Sequence, residues 1–291
     1  FWLKSQVRLR APLPPPLSGL FLSREAMAMI GGLLDQMQPD ASDEEDDEEP
    51  DVDFAFEAAA AADGAVDPSQ CRAVVVCNPG AAAAFALSAL PLEQVAWRLD
   101  FVKERPLRAF PPPPKPPRFY VARGSGGAAV AVAVLEGPIP ADLANTWAEA
   151  LLRGFGGDVE VIFLDRIFRA GWLACGGEER PLEPHLCGLW TAAWGAEGPP
   201  GLGSLARLPA PNVVEGMGAA LLTQCEAERR RCLVALALQD GAHLGEGCVR
   251  AFVQLAPLLQ EIGLLPSDWC PPDFRAALRQ VVPPPSMGIY A

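Results

Sequence analysis

Only two histidines occur in 291 residues, His185 and His243, so any mechanism that needs an imidazole base must use one of them. His185 lies two residues from Cys187, a spacing that puts both side chains on one face of a strand but not of a helix. A Cys/His nucleophile also needs an Asn or Asp to orient the ring, and no such partner can be assigned from the sequence. Asp240 and His243 flank a glycine-containing turn after an apolar run, which reads as a solvated loop. Gly124-Ser125-Gly126-Gly127 has the composition of a phosphate cradle, but it precedes a strand and lacks the Lys-Ser/Thr that would follow. A hairpin connection is the better reading. Asn78-Pro79-Gly80 does join a strand to a helix, where free amides can hold an anion, although Pro79 removes one donor. There is no CxxC or HExxH, and the eight cysteines are irregularly spaced, so no metal, no cofactor and no catalytic set is expected.

Those cysteines sit mostly in apolar runs, such as Ala73 to Cys77 and Cys232 to Leu238, where a thiol acts as a small core residue. Reduced thiols and a cytoplasmic or nuclear location are expected. The formal charge is −13, yet ten carboxylates lie between Asp40 and Asp53, which leaves −3 for the rest. Arg229-Arg230-Arg231 is the densest basic cluster and aromatics are not interleaved with cations, so nucleic acid is not an expected partner. Asn78-Pro79-Gly80 interrupts the longest apolar stretch, Ala73 to Leu90, which excludes it as a membrane span of about 20 residues. Lys4, Arg8, Arg10 and Arg24 precede the acidic run in the manner of a transit peptide, but a disordered basic arm is the simpler reading. The chain begins with Phe1 and no Met, so its first residue need not be the authentic start.

Residues 1–70 combine a proline cluster, the acidic run and the alanine tract Ala58 to Ala62. That composition buries too little apolar surface to offset ordering entropy, so a disordered arm is expected, with one short helix over 24–38 where Met27, Ile30, Leu33, Leu34 and Met37 recur at helical spacing. From 71 the pattern changes. Ala73 to Cys77 is apolar on both faces, as a strand between two layers of helices requires, and a helix follows over Ala81 to Leu90. Strands are expected at Phe119 to Ala122, Ala128 to Leu135, Val159 to Leu164 and Cys232 to Leu238. Helices are expected at Pro140 to Arg153, Val213 to Glu228, Glu246 to Ile262 and Pro272 to Val281. The alternation predicts an α/β fold, a three-layer sandwich around a mostly parallel or mixed sheet, spanning 71–282. Residues 106–117 hold seven prolines in twelve positions and read as an inserted surface loop. Residues 171–203 read as loops with short helical pieces.

Pro283-Pro284-Pro285 ends regular structure, and 283–291 reads as a flexible tail ending Gly288-Ile289-Tyr290-Ala291. A hydrophobic residue, a tyrosine and a last residue with its free carboxylate form a set suited to capture of a chain end. The side chains fill a groove, and the carboxylate meets a cation that an internal segment could not satisfy.

Several of these pieces are similar, in order, to one family. Ala73-Val74-Val75-Val76-Cys77-Asn78 with the helix after it, Leu208-Pro209-Ala210-Pro211-Asn212-Val213-Val214 leading to Cys225, Val249 to Leu259 and the terminal Ile289-Tyr290 resemble the first subunit of the heterodimeric proteasome assembly chaperone. The likeness runs from about Cys71 to the end. The insertion at 106–117, the Gly/Pro stretch 195–203 and the first 70 residues depart from it. The resemblance implies a non-enzymatic protein that pairs with a second chaperone subunit and promotes assembly of the 20S α-ring. Its tail would enter a pocket between α subunits, Ile289 in the apolar part, Tyr290 packing its ring, and the Ala291 carboxylate on a lysine. Because the family's fold looks like that of some hydrolases and phosphorylases, an α/β enzyme is the alternative, and a regulator of mature proteasomes is a third reading.

Overall fold

The computed structural model describes residues 52–57, 66–103, 114–123, 129–174, 181–203, 205–241 and 243–281, all within the unit Pro50–Ala291. In chain order the strands are β1 (Val52–Glu57), β2 (Cys71–Cys77), β3 (Glu93–Gln94), β4 (Arg98–Lys103), β5 (Arg118–Arg123), β6 (Ala129–Val134), β7 (Glu160–Phe168), β8 (Leu186–Trp190), β9 (Ala206–Arg207) and β10 (Cys232–Gln239). The helices are α1 (Ala81–Ala89), α2 (Ala144–Phe155), α3 (Gly216–Ala227), α4 (Glu246–Ala251), α5 (Ala256–Glu261) and α6 (Phe274–Val281).

Eight strands form the central sheet in the order β3-β5-β6-β2-β7-β10-β8-β9. Its middle four, β6, β2, β7 and β10, run parallel, and each outer side carries antiparallel neighbours, so the sheet is mixed around a parallel centre. Both outermost strands, β3 and β9, are two residues long. Alternate residues of β2 divide between two cores. Ala73, Val75 and Cys77 pack with α1, α4, α5 and α6 on one face, while Val74 and Val76 pack with α2, α3 and the β1/β4 ribbon on the other. This is the three-layer arrangement expected for strands apolar on both sides.

Three expectations are corrected. The arm drawn as disordered through residue 70 contains β1, which pairs antiparallel with β4 from Val52↔Lys103 to Glu57↔Arg98. Its alternation is short: Phe54 is buried, and the Phe56 ring packs on Trp97, Phe119 and Phe155 at centroid distances of 6.4, 5.6 and 5.3 Å. Averaging over acidic residues and alanines hid it. The stretch 171–203, read as loops with short helical pieces, also contains a strand, because β8 joins the sheet antiparallel to β10. Gly188 sits at its centre because a Cβ there would lie 3.0 Å from the Val234 carbonyl oxygen. The helix expected from Glu246 to Ile262 is three pieces, α4, a 3₁₀ turn Phe252–Leu255 and α5, because Pro257 has no N–H to continue the ladder. The expected helix at 24–38, residues 104–113 of the insertion and Cys175 lie outside the described residues. Cys71, Cys77, Cys187, Cys225, Cys232, Cys248 and Cys270 are free thiols, all but Cys270 buried.

Gly154, near the end of α2, holds Phe56 in place: a Cβ there would stand 2.5 Å from the Phe56 ring. Alanine would gain about 1 kcal/mol of helix propensity, but overpacking costs about 1 to 3 kcal/mol, so the clash wins. Gly154→Ala is expected to lower the melting temperature by a few degrees in a thermal melt. A Phe56→Ala background, lacking the ring, should turn the same substitution neutral or stabilising.

Candidate functional site

In an α/β sheet the carboxyl ends of the parallel strands are where ligand sites form, and here they carry a connected polar cluster. Register sets it up: Cys77 lies opposite Leu164, so Asn78, the first residue past β2, stands beside Asp165 within β7. Asn78 Nδ2 donates to Asp165 Oδ1 at 2.7 Å, and the Arg166 backbone N–H donates to the same oxygen at 2.7 Å. On the opposite face of β7, Arg166 Nη1 donates to Oε1 of the fully buried Gln239 at 3.4 Å, and Gln239 Nε2 donates to the Gly241 carbonyl at 2.7 Å. The Arg166 guanidinium also lies 5.0 Å over the Phe168 ring. Arg169 pairs with Asp240 at 3.2 Å, and the Asp240 N–H donates to Glu183 Oε1 at 2.7 Å. The turn before α1 fits against this cluster: Gly80 has φ +103°, a conformation that disfavours any side chain, and a Cβ there would meet Arg166 Nη1.

Burial pushes the Asp165 carboxyl above its ordinary range, and the bonds from Asn78 and Arg166 only partly oppose this. The folded chain therefore holds this proton at pH values where the unfolded chain has lost it, so the contribution of Asp165 to stability falls as pH rises from the ordinary carboxylate pKa through the raised one. Asp165→Asn keeps an acceptor oxygen for both donors and cannot ionise. It is expected to melt at the same temperature as the parent or a few degrees higher at pH 7, and to lose the advantage as pH falls toward 4. Melts across that range check it; a variant less stable at pH 7 than at pH 4, relative to parent, would count against it.

The residues weighed as enzyme candidates do not assemble. His185 packs edge-on against Trp172 at 5.7 Å, and burial lowers its pKa. Cys187 is buried with its Sγ 3.7 Å from the Leu236 carbonyl, and burial pushes its thiol up to about 12, far from the thiolate a nucleophile needs. His243 is exposed, and Asp240 is held by Arg169 rather than by an imidazole. Asn78 bonds Asp165, so the turn at Asn78-Pro79-Gly80 is tied into the cluster. Residues 124–128, the glycine-rich connection, lie outside the described residues, though the antiparallel β5/β6 pair they join is in place. Among the described residues no group of His, Cys, Asp and Glu is gathered to hold a metal, and no helix is long and apolar enough to cross a membrane. Ile289, Tyr290 and Ala291 lie outside the described residues.

Sequence reasoning missed the Asp165–Asn78 link and several hydrophobic side chains that face outward. Phe168, Leu173, Leu182 and Val213 are 44%, 53%, 68% and 66% exposed. Asn212 ties two of them together, accepting from the Leu173 N–H at 2.8 Å and donating to the Leu173 carbonyl at 2.9 Å. Between β7 and the loop leading into α3 lies a cavity of about 190 Å³.

No family model matches the sequence, and no curated protein matches it. Solved structures do share its fold. Pyrococcus furiosus PbaA, an archaeal homolog of proteasome-assembly chaperone, is 17% identical with a TM-score of 0.50, over 80% of this chain and 87% of its own. Pyrococcus furiosus PbaB, an archaeal proteasome activator, is 11% identical with a TM-score of 0.50, over 79% of this chain and 94% of its own.

Proposed function

We propose that the chain, built on the fold it shares with PbaA and PbaB, is a subunit of a proteasome assembly chaperone. It pairs with a second chaperone subunit, docks on the α subunits of the 20S particle and promotes α-ring formation. Ile289, Tyr290 and Ala291 enter a pocket between neighbouring α subunits. The reading makes the chain non-enzymatic, without metal or cofactor, and active in the cytoplasm and nucleus. The observation that carries it is the extent of the likeness to PbaA, which takes in four-fifths of this chain; the terminal hydrophobic-Tyr-X sequence supports it independently of the fold. The polar cluster agrees, since Asn78, Asp165, Arg166 and Gln239 bond one another, an arrangement suited to holding strand ends together.

Capture of proteasome intermediates on the tagged chain tests the proposal. The expected eluate contains α subunits and one further α/β chaperone subunit, with half-built particles favoured over finished ones. An eluate without any α subunit overturns it. The likeness to PbaB, an activator, favours a second reading as a regulator of mature particles, and a preference for finished particles would select it.

A further inference from the structure

The tail that the proposed function sends into the α-ring leaves from one layer of the fold, and this limits which side of the molecule can lie on the ring. α6 ends at Val281. The segment before it is tied to α1, where Trp269 Nε1 donates to the Ala89 carbonyl at 3.0 Å. Asp273 accepts from the Arg275 N–H at 3.0 Å and so satisfies a free donor in the first turn of the helix. Phe274, 1% exposed, packs on Phe85 of α1 at a centroid distance of 6.1 Å. Arg275 pairs with Glu246 at the start of α4, and Leu278 packs on the same core. α6 therefore belongs to the layer of α1, α4 and α5, while α2, α3 and the β1/β4 ribbon form the layer on the other side of the sheet.

Reach decides between the two layers. Ile289 is eight residues beyond Val281, and a chain of that length spans at most about 29 Å when fully extended. Packed layers lie about 10 Å apart, and a helix adds about 5 to 6 Å of radius. The straight line from α6 through the sheet to the outer surface of α2 and α3 is therefore about 25 Å. That line runs through the core, and any path round the border of the sheet is longer. A chain that takes such a path has no length left with which to enter a pocket. On its own side of the sheet the same chain reaches a pocket with length to spare.

We propose that the α-ring docks on the layer formed by α1, α4, α5 and α6, with α2, α3 and the β1/β4 ribbon facing away from it. The inference rests on the function proposed above, in which the tail enters a pocket between α subunits. Leu87 on α1 and Ala276 on α6 are exposed on the docking side, and Asn145 on α2 and Thr223 on α3 are exposed on the other. The test uses the full chain with the photo-crosslinking residue benzoylphenylalanine placed singly at each of these four positions, and capture of α subunits is measured before irradiation. Ultraviolet light is expected to join α subunits to the chain from position 87, from position 276 or from both, and not from 145 or 223. Cross-links from 145 or 223, or from none of the four while capture is intact, overturn the assignment of the face and leave the chaperone reading standing. An unsubstituted chain that captures no α subunit overturns that reading itself. Tail length gives a second measurement. Gly/Ser residues inserted after Val281, enough to make the eight-residue span about eighteen, dilute a tail that already reaches its pocket, so capture should weaken about threefold. Capture that tightens on lengthening means that the pocket lies beyond easy reach of α6, and it too overturns the assignment.

Discussion

A chain beginning at Cys71 is expected to precipitate during purification, or to melt roughly 10 to 20 °C below a chain beginning at Pro50, at about 2 to 4 °C per kcal/mol for a domain of this size. Composition alone would place the start of the folded unit at 71, and cutting there removes β1. The loss includes Phe54, 3% exposed, and the Phe56 ring from its cluster with Trp97, Phe119 and Phe155. Each apolar side chain contributes about 1.5 to 3 kcal/mol by burial, and aromatic contacts add about 0.5 to 1.5 kcal/mol. The ribbon also loses one of its two strands, leaving β4 without its antiparallel partner. A total near 5 kcal/mol is a large part of the stability of an ordinary domain. The chain from Pro50 keeps all of these contacts and should melt with the full-length protein. Equal melting of the two truncations, followed by calorimetry, would count against this account.

On the proposed function, removing Ile289, Tyr290 and Ala291 is expected to weaken capture of α-rings by about 10² to 10³-fold while leaving pairing with the second subunit unchanged. Burial of Ile289 and Tyr290 contributes about 1.5 to 3 kcal/mol each, and a hydrogen bond to the terminal carboxylate about as much. Ordering three residues costs about 1 to 2 kcal/mol apiece. The surplus is a few kcal/mol, which for a free peptide means millimolar binding. Attached to a docked body, the same tail acts at a high effective concentration, and its small surplus becomes a large factor. Biolayer interferometry of intact and truncated chains on immobilised rings reads the difference. Equal affinities would remove the tail from the mechanism, and a truncated chain that no longer pairs would mean the tail serves the wrong partner.

The parts of the fold that sequence reveals are those whose environment is the same on both sides. β2 and β10 lie between two helical layers and carry unbroken apolar runs, Ala73 to Cys77 and Cys232 to Leu238, so no pairing partner need be known to recognise them. The strands that escaped notice depend on distant residues. β1 has three alternating apolar positions between carboxylates, and it becomes a strand because β4, some forty residues later, takes its backbone bonds. β8 has five residues with Gly188 in the middle, and the nearness of the Val234 carbonyl and the Leu205 and Leu233 side chains explains that glycine. The same distance hides the site. Asn78 stands out as a turn residue, but its partner Asp165 is 87 positions away, and nothing local in either segment announces the bond. Val213, visible as part of a motif, gives no sign in the sequence that it faces outward.

The two-residue strands at both sides of the central sheet bear on how much of this protein a cell can hold. A longer bare margin would let copies zip together by their backbones, and each added copy would expose a fresh margin for the next. With only two residues in each outer strand, β3 and β9 offer little template for growth of that kind. Short outer strands of this kind let the protein's concentration rise with less risk of seeding fibres.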